Sequence, residues 1–422
     1  MNNLYKYSQF NIEINKEENR VYIFNTYSSK GQWLDKEEQS LIINKSDIDP
    51  LDIRQEIISD GLLVPVDFDE VQAVKDKAHY VAHNANVLCM VIATTMACPF
   101  NCSYCFEKQA LCNNSNMTHE TADKLVEFIE NTITEHPQIN NIHLRWFGGE
   151  PLLNTEIIEY ISGKLDSKNI KYTSEIYTNG RLLSKENVEL LVRNHVHKID
   201  IALDGLAELY AKQKGCTEKD FEIVIENLKY AQDKIDWIDL KINITEESKG
   251  SAMELVRYLY EDCGITIPVR MKEIVLYDNE ACSACYATPY SEMITLNKKL
   301  FNYQKEKGIG YSKATYPVRR ACTCEASYDT NFVIAPDGDI YRCSHFYGNK
   351  DYVVGNIFTG LTHPESERML IDNKLKDKCY ECPVLPACMG GCTIQNEIYN
   401  LERDCENIIN SMKLRVKYSD TM

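Results

Sequence analysis

Apolar and polar positions follow two regimes along the chain, and the change falls near residue 86. Before it, "YSQFNIEI" and "RVYIFNTYSS" alternate with period two around the turn "NKEEN", which predicts a β-hairpin. "DPLDIRQEIISDG" predicts a capped helix ended by glycine, and "LLVPVDF" a further extended stretch. The more charged "DEVQAVKDKAHYVAHN" leads into the next domain. Residues 1–85 are therefore expected to form a small α+β domain.

From 87 to about 277 the pattern repeats. Apolar, β-branched strands are predicted at 87–95, 141–147, 172–178, 198–203, 238–245 and 266–276. Amphipathic helices are predicted between them, near 119–135, 155–165, 184–195, 218–234 and 250–262. Such alternation implies a parallel sheet in an α/β fold. Six units are too few to close an eight-stranded barrel, so the expected architecture is an open, partial (β/α)6 TIM-like barrel. In such folds the chemistry sits at the C-terminal strand ends.

A helix is predicted near 291–307, and beyond it the periodicity breaks down. Eight of the 17 cysteines fall between 320 and 405, among short strands and turns. A loop-rich module of this size buries little core, so metal is expected to hold it together. The expected domains are 1–85, a barrel at 86–285, a bridging region at 286–319 and a cysteine-rich module at 320–422.

Composition narrows the function. The 422 residues are 44% hydrophobic and 26% charged, as in soluble globular proteins. The longest apolar run, "VLCMVIA", is far too short to span a bilayer, and no basic stretch followed by an apolar one opens the chain. The expected setting is the cytoplasm, with no membrane partner. A net charge of −17 argues against nucleic acid as the main partner. Clustered cysteines in a long chain without a secretion signal point to metal rather than disulfides.

The densest cluster is "TTMACPFNCSYCFEK", with Cys98, Cys102 and Cys105 in the spacing C-x3-C-x2-C and Tyr104 before the last. Three thiolates can hold three irons of a 4Fe–4S cube and leave the fourth open. A single zinc would need a fourth ligand, for which Cys112 is available. The motif resembles the CxxxCxΦC signature of radical S-adenosylmethionine (SAM) enzymes. The resemblance implies that SAM chelates the open iron. It further implies that reduction of the cluster cleaves SAM to a 5′-deoxyadenosyl radical, which abstracts hydrogen.

Further segments carry the same resemblance at later strand ends. "WFGGEPLL" resembles the family's GGEP motif. Gly148 and Gly149 allow close backbone approach to a ligand, and Glu150 or neighbouring carbonyls are expected to receive the SAM ammonium. "IYTNGRLL", with Thr178 and Asn179, and "IALDG", with Asp204, resemble segments near the SAM ribose and methionyl parts. Two departures stand out. Ala202 replaces a serine common in relatives, and the arginine expected after this strand is absent from "ELYAKQKG", where Lys212 or Lys214 can supply its charge but not its fork.

The later cysteines, Cys324, Cys343, Cys379, Cys382, Cys388, Cys392 and Cys405, resemble the seven-cysteine SPASM domain, which carries auxiliary 4Fe–4S clusters. The family pattern assigns Cys324, Cys343 and Cys392 to a first auxiliary cluster. It assigns Cys379, Cys382, Cys388 and Cys405 to a second. The fourth ligand of the first is Cys322, or Cys282 or Cys285, or the iron is open to a substrate thiolate. A zinc ribbon using Cys379 and Cys382 would strand Cys324, Cys343 and Cys405. Three clusters imply roughly 12 irons per chain.

The N-terminal unit resembles the winged-helix-like leader-recognition element of peptide-modifying relatives, which binds an extended leader as an added strand. A structural cap on the barrel is the alternative. The expected reaction is maturation of a ribosomally made (RiPP) precursor peptide, with a thioether preferred, as in sactipeptide and ranthipeptide synthases. A flavodoxin or ferredoxin is the expected low-potential electron donor. The formylglycine-generating sulfatase-maturating class usually has an aspartate base after the cysteine corresponding to Cys343; here Ser344 stands there, with His345 beside it. A non-enzymatic iron–sulfur or zinc scaffold is the reading from another class, and it gives no reason for "FGGEP" at a strand end.

Overall fold

The structure, a computed structural model, describes residues 4–107, 115–274, 290–310, 319–320, 322–362, 375–394, 396 and 405–417. Cys112, Cys282 and Cys285 lie outside the described residues. The chain forms two compact units. One comprises Met1–His83, Lys313–Ser327 and Asp372–Met422; the other comprises Asn84–Ser312 and Tyr328–Ile371. The stretch 320–422, expected as one module, is thus divided between them.

In the first unit, β1 (Tyr5–Tyr7) pairs with β5 (Leu63–Pro65), and β2 (Asn11–Lys16), β3 (Arg20–Asn25) and β4 (Lys30–Asp35) form an antiparallel sheet in that order. The predicted hairpin is β2–β3, and β4 extends it. The helix predicted over 49–61 is instead a 3-10 turn, Pro50–Asp52, and a short helix, Gln55–Ser59. Ile53 between them is extended and buried in the core of Val21, Ile23, Leu34 and Ile57, so packing breaks the helix. The charged stretch expected as a link is the helix Glu70–His83. It buries only Glu70, Val74 and Ala82, too thin a stripe to show as strong periodicity.

In the second unit, β6 (Val87–Thr95), β7 (Asn141–Gly148), β8 (Thr173–Tyr177), β9 (Val196–Ala202), β10 (Trp237–Ile244) and β11 (Val269–Glu273) are parallel neighbours in sequence order. These are the six predicted strands. Helices His119–Glu135, Thr155–Ser167, Lys185–Arg193 and Glu218–Ala231 lie between them in sequence. Ser184 and Thr217 cap the last two by accepting the N–H of Asn187 and Asp220. Alternate strand residues such as Leu144, Ile176, Ile199 and Leu240 join helix residues such as Leu125, Ile158, Leu191 and Leu228 in one core.

Neither a seventh parallel strand nor a helix directly after β9 was anticipated. β12 (Asn331–Ile334) adds to β6 as a seventh parallel strand, with β13 (Asp339–Tyr341), β14 (Gly355–Asn356) and β15 (Gly360–Leu361) continuing the sheet antiparallel. "NFVI" is too short for its periodicity to announce a barrel strand. The helix Ala207–Lys214 buries Tyr210, Gln213 and Lys214, mostly polar positions that hide its inward face.

The strand faces opposite the helices carry charge. Arg145 and Lys198 hold Glu175, Lys241 holds Asp200, and Arg270 holds Asp239 in a two-bonded pair. Burial disfavours ionised Glu175, but hydrogen bonds from His143 and Lys198 and the charge of Arg145 outweigh it, holding the carboxyl well below the usual range.

Candidate active site

Cys98 lies just past β6, and the loop 98–105 is fastened on two sides. On the first, Gly149 N–H donates to Thr95 O at 3.0 Å and Glu150 N–H to Ala97 O at 2.9 Å. A Cβ on Gly148 would collide with Thr95 O, and one on Gly149 with Ala97 O. Gly148 also has φ +113°, a region that side chains rarely adopt. Both glycines therefore permit contact with the cysteine loop's own backbone.

Glu150 is fully buried beside them. Its carboxylate accepts from Leu152 N–H (3.1 Å), Thr178 hydroxyl (2.8 Å) and Asn179 N–H (2.8 Å). Burial pushes its pKa up to about 7, against the pull of those hydrogen bonds. Glu150 thus ties the end of β7 to the end of β8. Asn179 then turns its side-chain amide toward Cys98 Sγ, at 4.0 Å.

On the second side, Asn101 N–H donates to Lys214 O at 3.0 Å and Ser103 N–H to Gln213 O at 2.9 Å. The helix Ala207–Lys214 ends at Gly215, left-handed with φ +59°, and a Cβ there would strike Asn101 O. Lys214 Nζ, with a side chain 6% exposed, pairs with the fully buried Asp204 at 2.8 Å and donates to Tyr104 Oη at 2.6 Å. Tyr104 Oη also hydrogen-bonds Asp204 Oδ2, and Asp204 Oδ1 accepts from Asn243 N–H at 3.1 Å. Burial works against the Lys214 charge, but Asp204 overcomes it and holds the ammonium well above its usual pKa. Burial, then the Asp204 charge, raises Tyr104 likewise. Of the two lysines considered for the missing arginine, Lys214 takes the buried place, while Lys212 pairs with Glu247 at the surface.

The three thiols are half-buried neighbours. Burial raises Cys98 to about 11 and Cys105 to about 12, and the charge of Cys102 adds to both. Thiolates so placed repel one another, and iron relieves that cost by binding them. Among the described residues, no three His, Cys, Asp or Glu side chains converge closely enough to hold a single metal ion. A cube spreads its ligands over separate irons and needs no such convergence. The donor set therefore fits a cluster.

Sequence reasoning missed Glu107, two residues past Cys105. It is buried, its Oε1 has no hydrogen-bond partner among the described residues, and burial pushes its pKa up to about 8. The signal was present: an acidic residue directly after a metal motif.

In the first unit, Cys379, Cys382, Cys388 and Cys405 line one cavity of about 220 Å³. Burial raises Cys382, and the charges of Cys388, Cys379 and Cys405 add to it. Cys322 and Cys392 both lie near Cys324: desolvation and then the charges of Cys392 and Cys322 raise its thiol to about 11. Cys322 Sγ donates to Cys324 O at 3.1 Å. Cys343 belongs to the second unit and opens the turn Ser344–Phe346, where the His345 ring stacks on Phe106 at 5.9 Å. No disulfide joins any two of the fourteen described cysteines. No helix among the described residues is long and apolar enough to cross a membrane.

Comparison with known proteins agrees with this geometry. A family model of the Radical SAM superfamily matches residues 92–259. The chain is 31% identical over 121 residues to an uncharacterized protein of Methanocaldococcus jannaschii, covering 28% of this chain and 38% of that one. It is 32% identical over 118 residues to GTP 3′,8-cyclase of Listeria welshimeri, covering 27% and 33%. These matches span 38% and 33% of the two relatives' lengths.

Among solved structures, anSMEcpe with bound AdoMet and Cp18Cys peptide superposes with TM-score 0.59 at 19% identity, over 79% of this chain and 96% of that one. Streptococcus suis SuiB bound to precursor peptide SuiA superposes with TM-score 0.56 at 17% identity, over 95% and 99%. At these identities the likeness is one of fold.

Proposed function

We propose, from the premise that residues 92–259 are a radical SAM domain, that the chain is a maturase that cross-links a ribosomally made precursor peptide. A thioether is the preferred bond. The observation that carries the reading is the fastening of the three-cysteine loop by Glu150 and the glycines on one side and by Lys214, Tyr104 and Asp204 on the other. A radical enzyme requires such rigidity, since a loosely held radical reacts with the wrong atom. Two structures of similar fold are complexes with peptides, which supports a peptide substrate.

Cys98, Cys102 and Cys105 would hold a 4Fe–4S cluster that, with SAM, supplies a carbon radical able to take hydrogen from the peptide. The protein's share is placement. Asn179 steadies the Cys98 sulfur, and Tyr104, held by Lys214 and Asp204, fixes the loop between Cys102 and Cys105. Cys379, Cys382, Cys388 and Cys405 would ligate one auxiliary cluster around their shared cavity. Cys324 and Cys392 would take part in another, and the closeness of Cys322 to Cys324 supports it as a ligand there. In the N-terminal unit, β4 pairs on one side only among the described residues, leaving an edge where a leader can add as a strand. A flavodoxin or ferredoxin would supply the electron.

The test is a mass spectrum of short cysteine-bearing peptides encoded beside this gene, co-expressed with the enzyme at low oxygen. Loss of two hydrogens per modification with blocked thiol alkylation is the expected result. The same loss with free thiols replaces the thioether by a carbon–carbon or carbon–oxygen bond. No change while SAM is cleaved refutes the peptide reading.

A further inference from the structure

The charged strand faces of the second unit do not balance. On β7 to β11 the cations Arg145, Lys198, Lys241, Arg270 and Lys272 face the carboxylates Glu175, Asp200 and Asp239, five against three, in a chain whose net charge is −17. Each carboxylate is already held. Lys272, two residues beyond Arg270 on the same face of β11, forms no ion pair or hydrogen bond among the described residues. It pairs in register with Asn243, whose N–H binds Asp204, so it stands at the level of the strand ends where the cysteine loop is fastened.

The residue as a whole is exposed, while its ammonium is partly desolvated among its neighbours. Its surroundings nonetheless press the ammonium down to about 8, through desolvation first and then the charges of Lys241 and Arg270. Asp200 and Asp239 oppose this without cancelling it, since their own cations hold them. An accessible ammonium among cations is an incomplete ion pair, and an incoming anion would relieve its cost.

We propose that Lys272 is the anchor for a carboxylate of the peptide substrate, so that the enzyme selects peptides bearing an acidic side chain or a free C-terminus near the residue to be modified. The proposal rests on the peptide-maturase reading and names the substrate chemistry of that site. An amide isostere cannot form the ion pair, and the site discriminates against it by leaving the ammonium uncompensated.

The test reads binding rather than turnover, so it is independent of whether any peptide is modified. The full-length, cluster-reconstituted enzyme is treated at pH 7 with an amine-acetylating reagent, and lysine labelling is followed by peptide mass spectrometry. Lys272 is expected to label about tenfold or more ahead of the surface residue Lys212, because more of it is unprotonated. Labelling no faster than Lys212 overturns the premise of an uncompensated ammonium.

Three decapeptide probes are then compared: a central Glu with amidated C-terminus, the same with central Gln, and the Gln form with a free C-terminal carboxylate. Protection of Lys272 at least threefold greater with the Glu probe supports a side-chain carboxylate. Protection by the third probe alone supports the terminal carboxylate. Equal protection by all three, protection by none, or protection by SAM without peptide overturns the proposal. Direct affinity measurements supply the second reading: Lys272→Arg is expected to keep the Glu-over-Gln preference and Lys272→Gln to lose it.

Discussion

Lys214 Nζ lies 2.8 Å from Asp204 Oδ2 with both side chains buried, and the same ammonium donates to the Tyr104 hydroxyl. Tyr104 stands between Cys102 and Cys105, so this pair anchors the cysteine loop to the end of β9. Removing one partner leaves the other charge buried and alone, at a cost of about 3–5 kcal/mol. Lys214→Met is therefore expected to destabilise the chain by about that much and to lower iron retention. Lys214→Met with Asp204→Asn should recover much of the stability, because no lone charge remains. Anaerobic urea denaturation of both variants checks this; equal losses would mean that the ion pair is not what matters at this position.

Gly149 makes a purely steric prediction. Its φ is not in the left-handed region, yet a Cβ would meet the carbonyl of Ala97, a backbone atom that cannot swing aside. Gly149→Ala should push the cysteine loop off its seat, costing about 1–3 kcal/mol as an overpacked site. Iron per chain and 5′-deoxyadenosine formation should both fall. Unchanged iron content would show that the loop tolerates the shift.

How much of this was legible in the sequence depends on what each residue faces. Of the six barrel strands, β6 was readable as a nearly all-apolar buried run, "VLCMVIATT", and the others by apolar residues alternating with charged ones on the opposite face, as in "WIDLKINI". The cysteine motif and "FGGEP" were readable as chemistry. The helix Ala207–Lys214 was not, because its inward residues include Lys214 and Gln213, whose polar ends are satisfied only by partners distant in sequence. The same cause hid the fastening of Tyr104 to Asp204, one hundred residues apart. The glycines at 148 and 149 were visible as a need for close approach. That the approaching group is the backbone of residues 95–97 required the register of β6 against β7.

Iron stoichiometry separates the three thiol groups. A fully loaded chain is expected to hold roughly 12 irons, and Cys98, Cys102 and Cys105 changed together to Ala should leave roughly 8 and abolish 5′-deoxyadenosine. Changing Cys379, Cys382, Cys388 and Cys405 together should also remove roughly four irons, and the first unit should lose stability because its cavity between Cys379 and Cys405 loses its filling. Iron, sulfide and zinc are measured after anaerobic purification. Zinc in place of iron in the wild-type chain would defeat the cluster assignment.

Glu150 gives the pH prediction. Its folded pKa, raised to about 7 by burial, stands above the unfolded carboxyl value of about 4.3. Between those values the folded state keeps a proton that the unfolded state has released. Stability from this residue is therefore complete below about pH 4 and falls as pH rises, levelling off above about pH 7. Glu150→Gln removes the titration while keeping one acceptor for Thr178 or Asn179. Wild type minus variant, tracked by urea midpoints from pH 5 to 8, should show stability declining by about 2–3 kcal/mol in the wild type alone. A flat difference would mean that Glu150 is ionised in the fold throughout, held so by its three hydrogen bonds.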